Sequence, residues 1–420
     1  MVLLDDAPQA VLDCLATHLP LETLCNVRLS CQRLRAGTLS IFGRRYFRKR
    51  GVVISIESLR HLYEITHNPR LASSVREVEV STMRLPNYVD AFTYLRGGKS
   101  NFLETICKMQ TLAVIDDLCE AFLSQLPNHT TPQHHKRCAS QYQLLDTGVV
   151  AKYLSKALNG LPNCARIVLT DRAGWGAKEL AQQSGTPLMM DFPHGNPVFS
   201  LRLWNALLLA VSRNPGVITE VGTSFKYDVP QSVRVEIFTA LSERQANLET
   251  TTIVSQELGL QLAHITSLRL EGLPCANTWW GGSIVKLVNT FPRLLRCSID
   301  FACFGDHVAV RELSSELFMP HIQVLECSMF AIREQDLYRF LSRHRYTLKE
   351  VSLRKMTLKG QGSWYSLLAQ LSRDLKGLVL RLDTVRYGTC VVKRRVLNFL
   401  GNEPNGTVKR KRGDGKIPTS

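Results

Sequence analysis

The sequence lacks the signals that would place it in a membrane or outside the cell. Its longest apolar run, Leu203 to Val211, is interrupted by Asn205 and is far shorter than the roughly 20 residues that a membrane-spanning helix needs. No basic segment followed by an apolar one marks the chain for export. These absences predict an intracellular protein without membrane contact.

The sequence also has no C-x-x-C pair, although it contains 12 cysteines. The pairs Cys25/Cys31 and Cys297/Cys303 are spaced too widely for the usual zinc motifs. The segment His134–Cys138 offers two histidines and a cysteine, but adjacent histidines do not readily face one metal ion. We therefore predict reduced cysteines in apolar positions, no metal site and no cofactor.

The motifs of common enzyme classes are missing as well. The chain contains no G-x-S-x-G, H-E-x-x-H or G-x-G-x-x-G. The segment "YLRGGKS" ends like a phosphate-binding loop, but Thr93 stands where the first glycine is required. Trp279, Trp280 and Trp364 lie beside glycines, where each is either a binding anchor or the apolar cover of a repeat. The sequence predicts that the protein is not an enzyme.

Positive charge is abundant. The chain has 52 Lys and Arg against 36 Asp and Glu, and this surplus favours an acidic protein or nucleic acid as a partner. Two short runs, Arg44–Arg50 and Lys409–Lys416, supply over half of the surplus. Each run is either a solvated surface or a binding segment. Four consecutive basic residues in the second run are typical of a nuclear import signal: Lys409, Arg410, Lys411 and Arg412.

The second half of the chain repeats the pattern L-x-x-L-x-L, with Ile, Val or Cys allowed at the apolar positions. The copies begin 29, 28, 26 and 27 residues apart, at Ile265, Leu294, Ile322, Leu348 and Leu375. Weaker copies begin at Val75, Cys164 and Ile218. This spacing is typical of a leucine-rich-repeat solenoid, in which each repeat is a strand and a helix. The alternative is an ordinary α/β domain in which the spacing is coincidental.

The pattern divides the chain into regions. We predict a leucine-rich-repeat-like α/β domain over 46–400, with long loops near 127–141 and 171–197 and a disordered basic tail over 401–420. Within it, a helix capped by Ser55 precedes a strand at Val75–Val80, and a helix from about Glu334 to His344 precedes a strand at Leu348–Leu353.

The first 45 residues are predicted to form a helical module. Its apolar periodicity indicates three short helices, at about Gln9–Thr17, Leu21–Asn26 and Arg28–Arg35. Helices this short cannot bury all of their leucines among themselves. Some of these leucines must therefore contact a partner or the domain that follows.

This stretch resembles an F-box, and the repeats that follow are similar to those of the F-box proteins with degenerate leucine-rich repeats that are numerous in filamentous fungi. The sequence departs from the usual F-box pattern at Ala7, Gln9 and Gln32. The positions that match the pattern are the residues that the resemblance assigns to linker-subunit binding: Pro8, Leu12, Leu15, Leu19, Pro20, Leu24, Leu29, Cys31 and Leu34.

The resemblance implies a role in ubiquitin conjugation. The F-box would bind the linker subunit of an SCF-type cullin-RING E3 ubiquitin ligase, and through it the cullin, while the repeats bind an unknown protein substrate. The resemblance does not imply catalysis by this chain. Two alternatives remain: a nuclear nucleic-acid or chromatin-associated protein, and a repeat scaffold whose F-box has decayed. Nucleic acid is not favoured as a partner, because Tyr46 and Phe47 are the only aromatic residues within the basic runs that could stack on bases. We expect a nuclear and cytoplasmic location.

The substrate surface is predicted on the strands of the repeats. Residues between the apolar positions of L-x-x-L-x-L point away from the core, onto the concave face of a solenoid. Positive and negative side chains alternate there, which favours a partner of mixed charge over a phosphate backbone. The predicted substrate-binding residues are Arg269, Glu271, Arg296, Asp300, Glu326, Glu350, Arg354 and Arg381.

Overall fold

A computed structural model describes most of the chain in two units. The units are Met1–Ala240 and Leu241–Ser420, and each combines helices with mostly parallel strands. The predicted α/β class and the helical N-terminal stretch are therefore confirmed. The import signal, Trp279 and Trp280 lie outside the described residues. The described residues are 7–85, 132–184, 198–225, 262–273, 285, 287–301, 314–329, 331–359, 363–387, 390–392 and 395–399.

The first unit begins with four short helices: α1 (Gln9–His18), α2 (Leu21–Ser30), α3 (Gln32–Gly37) and α4 (Leu39–Tyr46). Pro8 and Pro20 precede the first two helices, where a missing backbone N–H costs nothing. The predicted bounds of the second and third helices were wrong. Cys31 is extended and its thiol accepts a hydrogen bond from the Leu34 N–H at 3.4 Å, so the break falls at this residue.

Strands and helices alternate in the rest of the first unit. In chain order they are β1 (Lys49–Val52), α5 (Ile56–Thr66), α6 (Pro69–Ala72), β2 (Glu77–Ser81), α7 (Pro132–Asp146), α8 (Val149–Asn159), β3 (Arg166–Thr170), α9 (Ala177–Ser184), α10 (Val198–Ser212) and β4 (Glu220–Ser224). The strands β1 to β4 are adjacent and parallel. Val78, Ile167 and Val221 pair in register, so the three weaker copies of the pattern are indeed strands. Ser55 caps α5 as predicted.

Two segments predicted as loops are partly helical. α7 covers residues 132–141, and α9 lies within 171–197. The polar composition of α7 led to the prediction of a loop, although one of its polar residues is buried. Gln141 donates to the Ile54 carbonyl at 2.8 Å and accepts from the Leu85 N–H at 2.9 Å. A buried amide that satisfies two backbone groups stabilises a helix that its composition does not reveal.

The second unit also alternates strands with helices. Its elements are β5 (Ser267–Leu273), β6 (Arg296–Phe301), β7 (Val324–Ser328), β8 (Ala331–Arg333), α11 (Glu334–Arg343), β9 (Glu350–Arg354), β10 (Thr357–Lys359), α12 (Trp364–Asp374), β11 (Val379–Asp383), β12 (Val385–Tyr387), β13 (Cys390–Val392) and β14 (Arg395–Asn398). The strands β5, β6, β7, β9 and β11 are parallel neighbours, and β14 pairs with β11 in the antiparallel direction. The helix predicted from Glu334 is confirmed as α11.

The register of these strands tests the predicted period. Leu268, Cys297, Leu325 and Val351 pair in succession, as the spacings of 29, 28 and 26 residues require. The fifth copy was misplaced, because Val351 pairs with Leu380, 29 residues later. Four residues separate β10 from α12, whereas α11 follows β8 directly, and this insertion lengthens the last interval.

Three tight corners connect the long strands to a second, smaller sheet. Met329, Lys355 and Thr384 follow β7, β9 and β11, and each has a left-handed backbone with φ of 66°, 48° and 56°. β8, β10 and β12 follow the corners and pair in parallel. The Met329 N–H donates to the Arg354 carbonyl at 3.1 Å, and the Lys355 N–H donates to the Asp383 carbonyl at 2.7 Å. The corners at Met329 and Lys355 are therefore tied to the end of the next long strand.

One backbone contact recurs in both units. The carbonyl just before a strand accepts hydrogen bonds from two consecutive N–H groups of the next strand. In the first unit the Arg48 carbonyl accepts from Arg76 and Glu77, and in the second the Thr266 carbonyl accepts from Leu295 and Arg296. Equivalent positions of successive strands are thereby fixed side by side. None of the helices in the described part of the chain is both long and apolar enough to cross a membrane.

Candidate binding surfaces

The N-terminal helices have a small apolar core of their own. Ala16, Leu24 and Ile41 are buried in it, and Leu19, Phe42 and Tyr46 pack against them. Leu12 and Leu34 are also buried, at 4% and 5% exposure. α4 contributes much of this core, and it was not predicted from the sequence.

The predicted exposure of the leucines needs correction. Leu12, Leu24 and Leu34 were expected on an outward apolar face, but all three are buried, because Leu24 packs with Ile41 of α4 and Leu12 lies against Gly37 of α3. Of the other residues assigned to linker-subunit binding, four are exposed and two are half-buried. The exposed ones are Pro8, Leu15, Pro20 and Leu29, and the half-buried ones are Leu19 and Cys31.

The exposed leucines form short apolar stripes. Val11 and Leu15 lie one turn apart on α1, at 44% and 40% exposure. Leu21 and Leu29 lie two turns apart on α2, and Leu29 is 82% exposed. Large apolar side chains at this exposure contribute little to the stability of the module, so they are available for a partner.

The basic run Arg44–Arg50 is divided between structural and unengaged side chains. Arg45 donates to the Ala16 and Leu19 carbonyls at the end of α1, at 2.7 and 2.9 Å. Lys49 contacts carboxylates on β2, and Arg50 lies over the Phe47 ring. Arg44 and Arg48 are exposed and form no ion pair within the described residues. Much of this run therefore stabilises the fold itself.

Polar rows cross the strands of the second unit. One row contains Arg269, Ser298, Glu326, Ser352 and Arg381, which pair from strand to strand. The next contains Glu271, Asp300, Ser328, Arg354 and Asp383. Five of the predicted substrate-binding residues line one shallow depression of about 50 Å³ on these rows: Arg269, Glu271, Asp300, Glu326 and Arg354. The structure therefore brings together most of the predicted set.

Some of these charges are already paired within the face. Arg269 contacts Glu271 at 2.8 Å, and Arg381 contacts Glu350 at 2.7 Å. The Ser328 hydroxyl donates to the Asp300 carboxylate. The Ser298 hydroxyl reaches Glu326 at 3.5 Å.

Two cations on this face stand apart from the ion pairs. Arg296 and Arg354 are exposed, and neither forms an ion pair with another described residue. Arg296 and Glu350 lie on strands that line the depression, and Arg381 lies on the neighbouring β11, but none of the three lines it. Arg296 and Arg354 are therefore the basic groups of this face that can contact an acidic partner without breaking an internal contact.

A comparable charged row in the first unit was not predicted. Lys49, Glu77, Arg166 and Glu220 pair across β1 to β4 with alternating sign. Lys49 contacts Glu77 at 3.0 Å, and Arg166 contacts Glu77 and Glu220 at 3.3 and 2.9 Å. Burial lowers the pKa of Lys49, but hydrogen bonds to Glu79 and Glu77 outweigh it and raise that pKa overall. The weaker copies of the repeat pattern could have revealed this row, because its members precede their apolar positions.

The buried cysteines are not suited to thiolate chemistry. Cys164 and Cys297 are fully buried, and burial raises the pKa of each to about 12. Burial also raises the pKa of Cys327. Their thiols therefore stay protonated at neutral pH and pack as small apolar groups.

Cys138, proposed and rejected as a metal ligand from the sequence, packs in an apolar cluster with Val53 and Leu85. No group of three or more potential ligands that could hold a metal ion occurs within the described residues.

Trp364 is buried at the start of α12 and donates to the Arg386 carbonyl at 3.0 Å. Of the two roles considered for Trp364, this position favours the apolar cover.

Comparisons with known proteins add no relative. No protein-family model matches the sequence, and no curated protein matches it either.

Proposed function

We propose that this chain is the substrate-recognition subunit of an SCF-type cullin-RING E3 ubiquitin ligase. In this role the N-terminal helices bind the linker subunit, and a leucine-rich-repeat-like solenoid binds a protein substrate. The chain performs no covalent chemistry. It raises the local concentration of a substrate lysine near the conjugating enzyme.

The observation that carries the proposal is the division of the N-terminal leucines into two sets. Leu12, Leu24 and Leu34 are buried between the helices, and Leu24 belongs to the core that they share with Ile41. Leu15 and Leu29 remain exposed at positions that match the F-box pattern. A folded module with large apolar side chains left at its surface is suited to a stable protein contact.

The strand face of the second unit supports the other half of the proposal. Its rows combine serine hydroxyls and carboxylates with Arg354, and Arg296 lies beside the rows on β6; neither arginine forms an ion pair with another described residue. Such a face offers hydrogen bonds and charges of both signs, which is suited to a protein segment of mixed charge. The recurring corners and strand-start carbonyls support the repeat architecture itself.

The test is a pull-down of the linker subunit with the full chain and matched variants. Leu15→Ala combined with Leu29→Ala should weaken binding by more than about a hundredfold, because each desolvated leucine contributes roughly 1.5–3 kcal/mol. The matched control is Thr23→Ala with Asn26→Ala, which changes two exposed polar residues of α2 and should leave binding unchanged.

A second variant separates contact from folding. Leu24→Ala empties the buried core and should destabilise the module by about 2–5 kcal/mol, whereas the Leu15/Leu29 variant should keep its thermal unfolding. Loss of binding without loss of stability supports direct contact. If the wild-type chain fails to bind any linker subunit, the ubiquitin-ligase role is rejected and a repeat scaffold remains.

A further inference from the structure

A large cleft lies inside the first unit and is lined by residues of that unit alone. Its volume is about 1020 Å³. The N-terminal helices form one side of it, and α6, the start of β2 and the turn before β3 form the other. The lining residues that the following argument uses are Asp13, Ser40, Arg44, Arg48, Arg70 and Arg76.

Positive charge outweighs negative charge in this cleft, because four arginines line it against one carboxylate. Arg44, Arg48, Arg70 and Arg76 are exposed, and none of them forms an ion pair with another described residue. Asp13, the one acidic residue among the described lining, already accepts a hydrogen bond from the Gln9 amide at 2.8 Å. Four guanidinium groups around one cavity repel each other, so an anion that enters it gains from all four.

The backbones that carry these arginines are held in place. The Arg48 carbonyl accepts from the Arg76 N–H at 2.9 Å, and the Arg76 carbonyl accepts from the Ala165 N–H at 3.1 Å. Arg44 is positioned by its neighbour Gly43, where an added Cβ would lie 2.4 Å from the Ser74 hydroxyl oxygen. Only glycine allows α4 to pack this closely against the residues after α6. The two sides of the cleft are therefore in fixed contact.

The other polar groups of the cleft are already used as donors. The Ser73 and Ser74 hydroxyls donate to the Arg70 carbonyl at 3.1 and 2.9 Å. The Asn163 amide donates to the Ser73 carbonyl at 2.8 Å. Apart from the exposed Ser40 hydroxyl, the remaining donors of the described lining are guanidinium groups, which bind phosphoryl oxygens as planar, two-pronged donors.

We propose that this cleft binds a small soluble molecule that carries at least two phosphoryl groups. The four arginines and Asp13 leave a surplus of about three positive charges, and each phosphoryl group brings up to about two negative charges, so two phosphoryl groups match this surplus, whereas a ligand with carboxylates alone would need three or more of them. The volume lies at the upper end of ordinary small-molecule sites, which leaves room for an organic group beside the phosphates. The inference goes beyond the proposed function and does not depend on it.

The experiment uses calorimetric titration of the full chain with inorganic tripolyphosphate at physiological salt. Tripolyphosphate should bind at least about a hundredfold more tightly than sulfate, because it engages several arginines at once. Arg44→Gln with Arg76→Gln should weaken it by roughly tenfold per arginine. Arg44→Lys with Arg76→Lys keeps the charge but not the planar fork, and should give an intermediate affinity.

A matched control removes the same charge elsewhere in the first unit. Lys152→Gln with Arg213→Gln changes two exposed basic residues that do not line the cleft, and the affinity should stay within about twofold of wild type. A second variant, Ser40→Asp, keeps all four arginines and adds a carboxylate at an exposed lining position near the start of α4, where it is favourable for the helix. It should also block binding. Thermal unfolding confirms that each variant is folded.

Several results would overturn the proposal. Equal losses in the cleft variant and the control would mean diffuse charge attraction. A polyglutamate peptide that binds as tightly as tripolyphosphate would remove the preference for phosphate. A single-stranded oligonucleotide that binds more tightly, with the same dependence on Arg44 and Arg76, would replace the small molecule by nucleic acid.

Discussion

The left-handed corners of the second unit predict an unusual gain from substitution by glycine. Thr384 has φ of 56°, a conformation that is costly for every residue with a Cβ and most costly for a β-branched one. Gly377 lies before the opposite end of β11 with φ of 82°, and an added Cβ there would meet no heavy atom within 4 Å. The two positions therefore test the same backbone effect in opposite directions, one by removing a Cβ and one by adding it.

The magnitudes follow from the backbone. Relief of the left-handed strain at Thr384 is worth roughly 1–2 kcal/mol, and the extra entropy of glycine in the unfolded chain offsets about 0.5–1 kcal/mol of it. The hydroxyl contact with Asp383 at 3.0 Å is partly exposed and contributes little. Thr384→Gly should therefore stabilise the second unit by up to about 1 kcal/mol. Gly377→Ala should destabilise it by up to about 1 kcal/mol, since the added strain of roughly 1–2 kcal/mol outweighs the gain of about 0.5–1 kcal/mol from the lower entropy of alanine in the unfolded chain.

Thermal unfolding of the full chain can resolve both effects. For a unit of this length, 1 kcal/mol corresponds to a shift in Tm of roughly 2–4 °C. Trp364 reports on the region, because its indole donates to the Arg386 carbonyl just beyond Thr384. A Trp364→Phe control identifies the transition that this ring reports. A lower Tm for Thr384→Gly, together with an unchanged Tm for Gly377→Ala, would refute the strain argument.

Three further predictions concern pH, location and recognition. Burial lowers the pKa of His344 from its usual 6.5, and its Nε2 accepts the Met319 N–H at 3.1 Å. As the pH falls, His344 therefore takes up a proton in the unfolded chain before it does so in the folded protein. Stability should therefore fall as the pH drops below about 6.5, and less steeply in His344→Gln when urea unfolding is measured at several pH values. Alanine at all four positions of 409–412 should move a fluorescent fusion from the nucleus toward the cytoplasm; an unchanged distribution would reject the import signal. Reversing the charges of Arg296 and Arg354 together should release every co-purified substrate, and retention would reject the strand face as the binding surface.

The sequence predicted the positions of four parallel strands of the second unit well, because their spacing has one physical cause. Buried positions on neighbouring parallel strands must align, so Leu268, Cys297, Leu325 and Val351 recur at nearly constant spacing. The prediction failed at the fifth copy because an insertion between β10 and α12 moved the strand without removing its leucines. Because the pattern L-x-x-L-x-L matches any of several apolar residues, it fits equally well before and after the strand has moved by two residues.

The sequence was less informative about which leucines face outward. Leu24 and Leu29 both match the F-box pattern, yet Leu24 is fully buried and Leu29 is 82% exposed. The difference depends on α4, whose Ile41 packs against Leu24. α4 was not predicted because it contains Arg44 and Arg45, and the basic residues of this run were interpreted as a solvated or binding surface. Burial depends on a partner element that a local pattern does not contain.

The two unpaired arginines of the strand face set a spacing for the segment that it binds. Arg296 lies on β6 and Arg354 on β9, with β7 between them, so they are about 10 Å apart across the sheet. Arg296 is level with Glu350, four residues before Arg354, which adds about 13 Å along the strands. Together these give a separation of roughly 16 Å, the length of about five extended residues. Arg269 and Arg381 on the same face are engaged by Glu271 and Glu350. We therefore expect substrates with acidic residues about five positions apart. In a fluorescence titration, peptides with adjacent acidic residues should bind more weakly than peptides with this spacing.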